Sequence, residues 1–145
     1  MRMMNMFKIA KSKKEMQDVF DVRIEVFVHE QNVPLENELD EFEDVSKHII
    51  GYDDNQRPIA TARYRDYNGV AKMERVAVLK DYRKQGIGRD LMKYIETIAK
   101  NDGFSKAVLN GQIQAQAFYE SLGYKAEGDV FLEENIEHIT MSKAL

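Results

Sequence analysis

The chain has 145 residues, a formal net charge of −4 and no cysteine. That length suits a single domain, and the slight negative balance argues against bulk attraction to nucleic acid. No apolar run is long enough to cross a bilayer, and without a thiol no acyl group can be parked on protein sulfur.

The absence of cysteine fits a reducing cytoplasm. The opening Met1-Arg2-Met3-Met4-Asn5-Met6 has no apolar core region, so residues 1–6 are read as a frayed end rather than a signal peptide. Phe7 to Ala10 is a strand candidate. Ser12 with Glu15 makes a capping box, which starts a helix near Lys13. Met16, Val19, Phe20, Arg23 and Phe27 keep helical spacing to about Val28. After Pro34 come six acids: Glu36, Glu38, Asp40, Glu41, Glu43 and Asp44. No glycine stands among them, as a calcium loop would need. The run reads either as a solvated loop or as a funnel for a cationic substrate. The three histidines, His29, His48 and His138, show no ligand spacing, so no metal is expected.

His48 to Asp53 and Pro58 to Asp66 read as strands, joined by Asp53-Asp54-Asn55. Tyr67-Asn68-Gly69 is a hairpin signal leading into a long strand, Val70 to Leu79. Unbroken, that strand would send Lys72, Glu74, Val76 and Val78 one way and Met73, Arg75, Ala77 and Leu79 the other. A helix from about Gly86 to Asn101 follows, closed by Gly103. Lys106 to Asn110 is a strand, Ala115 to Leu122 a helix stopped at Gly123, and the tail makes two strands, the last including Ile136 to Met141. The order is β-α-β-β-β-α-β-α-β-β, an α/β (α+β) arrangement within one domain spanning 1–145.

The segment Val76 to Leu91 is the most informative. A strand passes through Arg83-Lys84-Gln85-Gly86-Ile87-Gly88 into an amphipathic helix carrying Ile87, Leu91, Ile95 and Ile98. Glycines allow close approach of a ligand, and a helix start offers free N–H groups with a positive dipole end. This is a place to hold a phosphate. A Walker loop is excluded, because Gly88 is followed by Arg89-Asp90 rather than Lys-Ser/Thr. A dinucleotide fingerprint is excluded because Leu91 stands where a third small residue is needed.

Arg-x-x-Gly-x-Gly at Arg83 to Gly88 resembles the acyl-CoA pyrophosphate loop of the GNAT superfamily of N-acetyltransferases. A second segment strengthens the resemblance: Gln112-x-x-Ala115-x-x-x-Tyr119-x-x-x-Gly123-Tyr124. The family pattern has Asn where Gln112 stands and Phe where Tyr124 stands. Further stretches narrow it. Arg23-x-Glu25-Val26-Phe27-Val28-x-Glu30-Gln31-x-Val33-Pro34, Glu74-Arg75-Val76 and Phe131-Leu132-Glu133-Glu134-x-Ile136-x-His138-Ile139 are similar to a small bacterial subgroup, YjcF/ElaA-like. The resemblance implies a mixed, strongly twisted sheet with helices on both faces, acetyl-CoA as co-substrate and no metal. It implies backbone contacts from Val76, Ala77 and Val78 to pantetheine. Lys84, Gln85, Gly86, Ile87, Gly88 and Arg89 would offer amides to the pyrophosphate, with Arg83, Lys84 and Arg89 adding charge. Gln112 would be a further cofactor contact.

Two catalytic roles follow from the resemblance. Tyr119 takes the position that protonates the departing thiolate; the other reading is an aromatic residue packed on Phe118. Glu74 is the candidate general base; the other reading is an ion pair with Arg63 or Arg65. Arg23, Glu30, Gln31 and His138 become acceptor-pocket candidates by resemblance alone, and His138 is equally readable as a packed strand residue. The expected activity is direct transfer of acetyl from acetyl-CoA to a primary amine, a small molecule or a basic side chain. A non-catalytic acyl-CoA-binding module and a transferase of longer acyl chains remain open, as does homodimer formation.

Overall fold

Among the described residues, seven strands form one mixed sheet, in the order β1-β2-β3-β4-β5-β7-β6. The computed structural model describes residues 6–145. Of the six residues read as frayed, 1–5 lie outside the described residues, and Met6 packs against the core. The strands are β1 (Phe7–Ile9), β2 (Lys47–Tyr52), β3 (Pro58–Tyr67), β4 (Val70–Val78), β5 (Lys106–Gln112), β6 (Lys125–Glu133) and β7 (Ile136–Ala144). The helices are α1 (Lys13–Arg23), a short α2 (Leu35–Glu38), α3 (Ile87–Asn101) and α4 (Gln116–Ser121).

The helix starts and stops follow local chemistry. Ser12 Oγ accepts from the Glu15 N–H, and the Glu15 carboxylate accepts from the Ser12 N–H, completing the capping box. Helix α3 buries Ile87, Leu91, Met92, Ile95 and Ala99. It ends where Gly103 adopts φ +102 and the Phe104 N–H reaches back to the Ala99 carbonyl. Gly123 closes α4 in the same way.

The first helix is not one uniform element to Val28. The α-helical part ends at Arg23, and Ile24–Glu30 is wound as a π-helix. The Gln31 N–H reaches the Val26 carbonyl across the widened turn. Val26 and Phe27 of this segment line the cleft described below.

Helices cover both faces of the sheet. Arg63 of β3 shares Glu43 with Arg23 of α1, while its neighbour Tyr64 donates to Asp102 just beyond α3. Successive strand residues face opposite ways, so α1 and α3 lie on opposite sides.

Two irregularities in β4 shape the molecule. Ala77 stands opposite Thr61 and Glu74 opposite Arg63. Between those pairs β3 has only Ala62, whereas β4 has Arg75 and Val76. This is a one-residue bulge, with Arg75 at φ +54. Thr61 and Arg63 share a face, so Glu74 and Ala77 do too. The alternation of an unbroken strand therefore holds only up to the bulge: beyond it, Val76 and Val78 face away from the Glu74 side. The second irregularity is a splay. Strands β4 and β5 pair in parallel from Ala71–Ala107 to Met73–Leu109 and then stop. Beyond that point the β5-facing edge of β4 has no strand partner among the described residues.

At the other end of the sheet, Gly51 lies under Phe7: a Cβ there would stand 2.8 Å from the ring. Gly51→Ala is expected to loosen β1 and lower stability by about 1–3 kcal/mol. Urea unfolding of the variant checks this.

Candidate active site

The splay opens a cleft of about 610 Å³. One wall is β4 from Lys72 to Val78; the other carries Asn110 and Gln112 of β5 and His138 of β7. Val26, Phe27 and Gln31 close one side, Tyr119 and Ala115 another, and Glu133 and Glu134 stand at the β6–β7 turn. Gln112 and His138 are register partners, so they share a face of the sheet.

At one end the cleft reaches Arg83, which begins the glycine loop. Gly86 is left-handed at φ +86, and nothing lies within 4 Å of the place its Cβ would take. Lys84 is also left-handed, at φ +63. The loop therefore turns its backbone outward at the start of α3, and only glycine is unstrained at Gly86. Gly88 has a different role: a Cβ would meet Phe118 at 3.3 Å, so it lets α4 approach α3. Ile87 is buried in the core and offers only its backbone. Arg89 donates to Ser121 Oγ, and Gln85 to the Asp81 carbonyl.

Arg83 departs from expectation. Its guanidinium holds both oxygens of Glu30, at 2.6 and 2.7 Å, and its Nε donates to the Val78 carbonyl. Hydrogen bonding from Arg83 lowers the Glu30 carboxyl. Glu30 thus braces the loop against the π-helix and is not among the cleft-lining residues.

Tyr119 is buried, and burial pushes its phenol up to about 12. The ring lies on Gly111, where a Cβ would come within 3.2 Å of it. The packing on Phe118 is also present, with ring centroids 5.1 Å apart. The hydroxyl makes no side-chain hydrogen bond among the described residues. Gly111, which admits the ring, was not singled out from the sequence; its only signal is a glycine inside a strand.

Glu74 lines the cleft but is not free. Its carboxylate accepts from Arg65 Nε at 2.9 Å and Arg63 Nη2 at 3.0 Å, with Lys72 Nζ 3.5 Å away. Burial alone would raise its pKa, but these cations together hold it below the usual carboxylate range. A carboxylate so held is a weak proton acceptor. The ion-pair alternative is the one the geometry favours.

Arg23 is corrected outright. It is fully buried, outside the cleft lining, with Nε on Glu38 at 2.5 Å and Nη1 on Glu43 at 2.8 Å. The acidic run is neither simply solvated nor an open funnel. Glu38, Asp40 and Glu43 are taken up by Arg23, Arg63 and Arg75, whereas Glu36, Glu41 and Asp44 stay exposed. Ionic partners 15 or more residues away leave no mark on local sequence pattern.

Gln31 and Gln112 are brought together: Gln112 Nε2 donates to Gln31 Oε1 at 2.9 Å. Asn110, two residues before Gln112 and on the same cleft wall, was missed, although strand alternation signals it. No group of three or more metal-ligating side chains occurs among the described residues. No helix there is long and apolar enough to cross a membrane.

The Acetyltransferase (GNAT) domain family matches residues 11–145. The chain belongs to this family. It is 44% identical over 136 residues to "Uncharacterized N-acetyltransferase YjcF" of Bacillus subtilis, covering 93% of this chain and 96% of that one. The crystal structure of Escherichia coli ElaA superposes with a TM-score of 0.83 at 26% identity, covering 94% of this chain and 97% of that one. An aminoglycoside 6'-N-acetyltransferase complexed with coenzyme A shares the fold, with a TM-score of 0.76 at 16% identity over 95% of this chain and 96% of that one. Membership makes the protein an acyl-CoA-dependent acyltransferase of the GNAT type, with the GNAT fold expected from its element order.

The arginine cluster sets the response to acid. Asp40, Glu43 and Glu74 have lowered pKa values in the fold despite burial, because Arg63, Arg23 and Arg65 respectively bond them. Their contribution is present above the unfolded carboxylate range and is lost as pH falls through the folded values. Glu38 has the opposite sign, because burial raises its carboxyl. The three lowered groups are expected to dominate, so the urea midpoint should fall below about pH 4. Arg63→Met leaves those carboxylates short of a buried cation and should cost about 3–5 kcal/mol at neutral pH.

Proposed function

We propose that the protein is an acetyl-CoA-dependent N-acetyltransferase that acetylates a primary amine, a small molecule or a basic side chain, by direct attack. The observation that carries this reading is the unpaired edge of β4, flanked by the glycine loop at one end and the Tyr119 phenol at the side. The CoA pyrophosphate would take the backbone N–H groups from Lys84 to Arg89, at the start of a 15-residue helix. The open space at Gly86 fits that ligand. Lys84 and Arg89 supply charge, and Arg83 acts through its brace with Glu30. Pantetheine amides would pair with Val76, Ala77 and Val78. The Val76 N–H is the donor to the thioester oxygen, whose negative charge grows in the tetrahedral state. Gln112, held by Gln31, bounds the pantetheine side.

In the reaction the ammonium first loses a proton. The nitrogen lone pair then forms the C–N bond, the carbonyl oxygen carries the negative charge, and the C–S bond breaks to leave a thiolate. Tyr119 donates to that sulfur. A phenol near 12 is a weak acid, so its proton moves only as charge builds on sulfur. The nitrogen's surplus proton restores the phenol.

Glu133 and Glu134 line the cleft and make no Lys or Arg ion pair among the described residues. They favour a cationic acceptor over an anionic one.

Two variants test the reading. Tyr119→Phe keeps the ring and should lower turnover by about 10²–10⁴ with little change in CoA binding. Thiol release measures it, and turnover within twofold of wild type would remove Tyr119 from the chemistry. Gly86→Ala strains the left-handed turn and should weaken CoA binding at least about tenfold. Calorimetry showing undiminished affinity would overturn the loop assignment.

A further inference from the structure

We infer that His138 is the base that takes the proton from the acceptor ammonium; this rests on the acetyl-transfer reading above. The imidazole is only 6% exposed, yet it lines the cleft. Its Nδ1 lies 2.6 Å from the Ile136 carbonyl oxygen. A carbonyl can only accept, so Nδ1 carries the hydrogen. The neutral ring then presents the lone pair of Nε2. That nitrogen makes no hydrogen bond among the described residues, and it is not among the buried polar atoms that lack a partner. Phe131 stacks on the ring with centroids 5.9 Å apart and a 25° tilt, which fixes its plane. The ring is held on two sides and open on a third, as a base requires.

The charged surroundings suit proton uptake. Glu133 Oε2 lies 3.8 Å from Nε2 and stabilises the imidazolium once it forms. Glu134 stands beside it at the turn, and the β5 partner Gln112 is uncharged. Across the cleft are Glu74 with Arg65 and Lys72, and Glu38 and Asp40 with Arg75. Those carboxylates already have cations. Among the described residues, Glu133, Glu134 and His138 are the cleft-lining proton acceptors without a Lys or Arg partner; the two glutamates are exposed, and His138 is the one buried in the wall with an open nitrogen.

The step balances. Nε2 takes one proton from R–NH₃⁺, giving R–NH₂ and imidazolium. The amine forms the C–N bond, the C–S bond breaks, and sulfur leaves as thiol through Tyr119 as above. Imidazolium returns its proton to solvent, so one proton is released per turnover.

The test compares pH–rate profiles of wild type, His138→Gln and Glu74→Gln, read by thiol release from acetyl-CoA. The probes are spermidine, lysine and propylamine, with CoA affinity of each variant measured by calorimetry. In His138→Gln, kcat should fall about 10²–10⁴ at neutral pH, with CoA affinity within about twofold. Its remaining rate should climb tenfold per pH unit across the range, because free amine now comes only from solution. Glu74→Gln should keep the wild-type profile shape, whatever its effect on stability. A His138→Gln profile of wild-type shape makes the residue packing only and overturns the inference. So does loss of the acidic limb in Glu74→Gln alone. Thiol release with none of the three amines, while CoA still binds, overturns the acetyl-transfer reading for such acceptors and the inference with it.

Discussion

The site depends on one interruption in a hydrogen-bond ladder. Strands β4 and β5 pair only as far as Met73 and Leu109. Had the pairing continued, β4 would have spent both edges on the sheet and no strand-like ligand could join it. The bulge at Arg75 is the local device beside this break. A bulge bends its strand and increases local twist, so β4 turns away from β5 beyond the paired segment. A left-handed non-glycine residue costs about 1 kcal/mol or more. Here the guanidinium of Arg75 reaches the Glu38 carbonyl and Asp40, which hold the residue in place.

The arginine cluster is the counterpart of that opening. Removing charges from water is expensive, and attraction offsets it only with good geometry and satisfied hydrogen bonds. Arg23 and Arg63 meet that condition, each bonding two or more acids. The cluster ties the acidic segment after α2 to β3 and β4, so a loop becomes a wall. It also neutralises Glu74, Asp40 and Glu38. The acids that looked most functional in a linear reading are therefore those the fold has already used. Unspent proton-accepting capacity is left on the opposite wall, at the β6–β7 hairpin.

What could be read from the chain was what local physics determines. The capping box, the four-residue apolar spacing of α3, the glycines after α3 and α4, and the hairpin signals gave the elements and their order. The glycine loop was legible because left-handed backbone at Gly86 demands that residue. Three features had no local mark. The bulge falls on an arginine rather than a glycine. The π-helix occupies Ile24–Glu30, where the apolar spacing matches a continuing α-helix equally well. Arg23 was placed in the pocket because the chain does not show that Glu38 and Glu43 fold back over it. The tautomer of His138 is similarly invisible, because it is set by the carbonyl of Ile136, two residues earlier at the start of β7.

The Glu30–Arg83 brace joins these parts. Arg83 also holds the Val78 carbonyl, so one guanidinium links the end of β4, the start of the glycine loop and the end of the π-helix. Those three elements border the cleft from different sides. A bidentate pair between half-exposed groups contributes modestly to global stability, but its planar fork fixes direction as well as distance. The glycine loop and the π-helix, which carries Phe27 and is capped by Gln31, therefore share one anchor. That anchor is a side chain that the motif alone would have assigned to the phosphate.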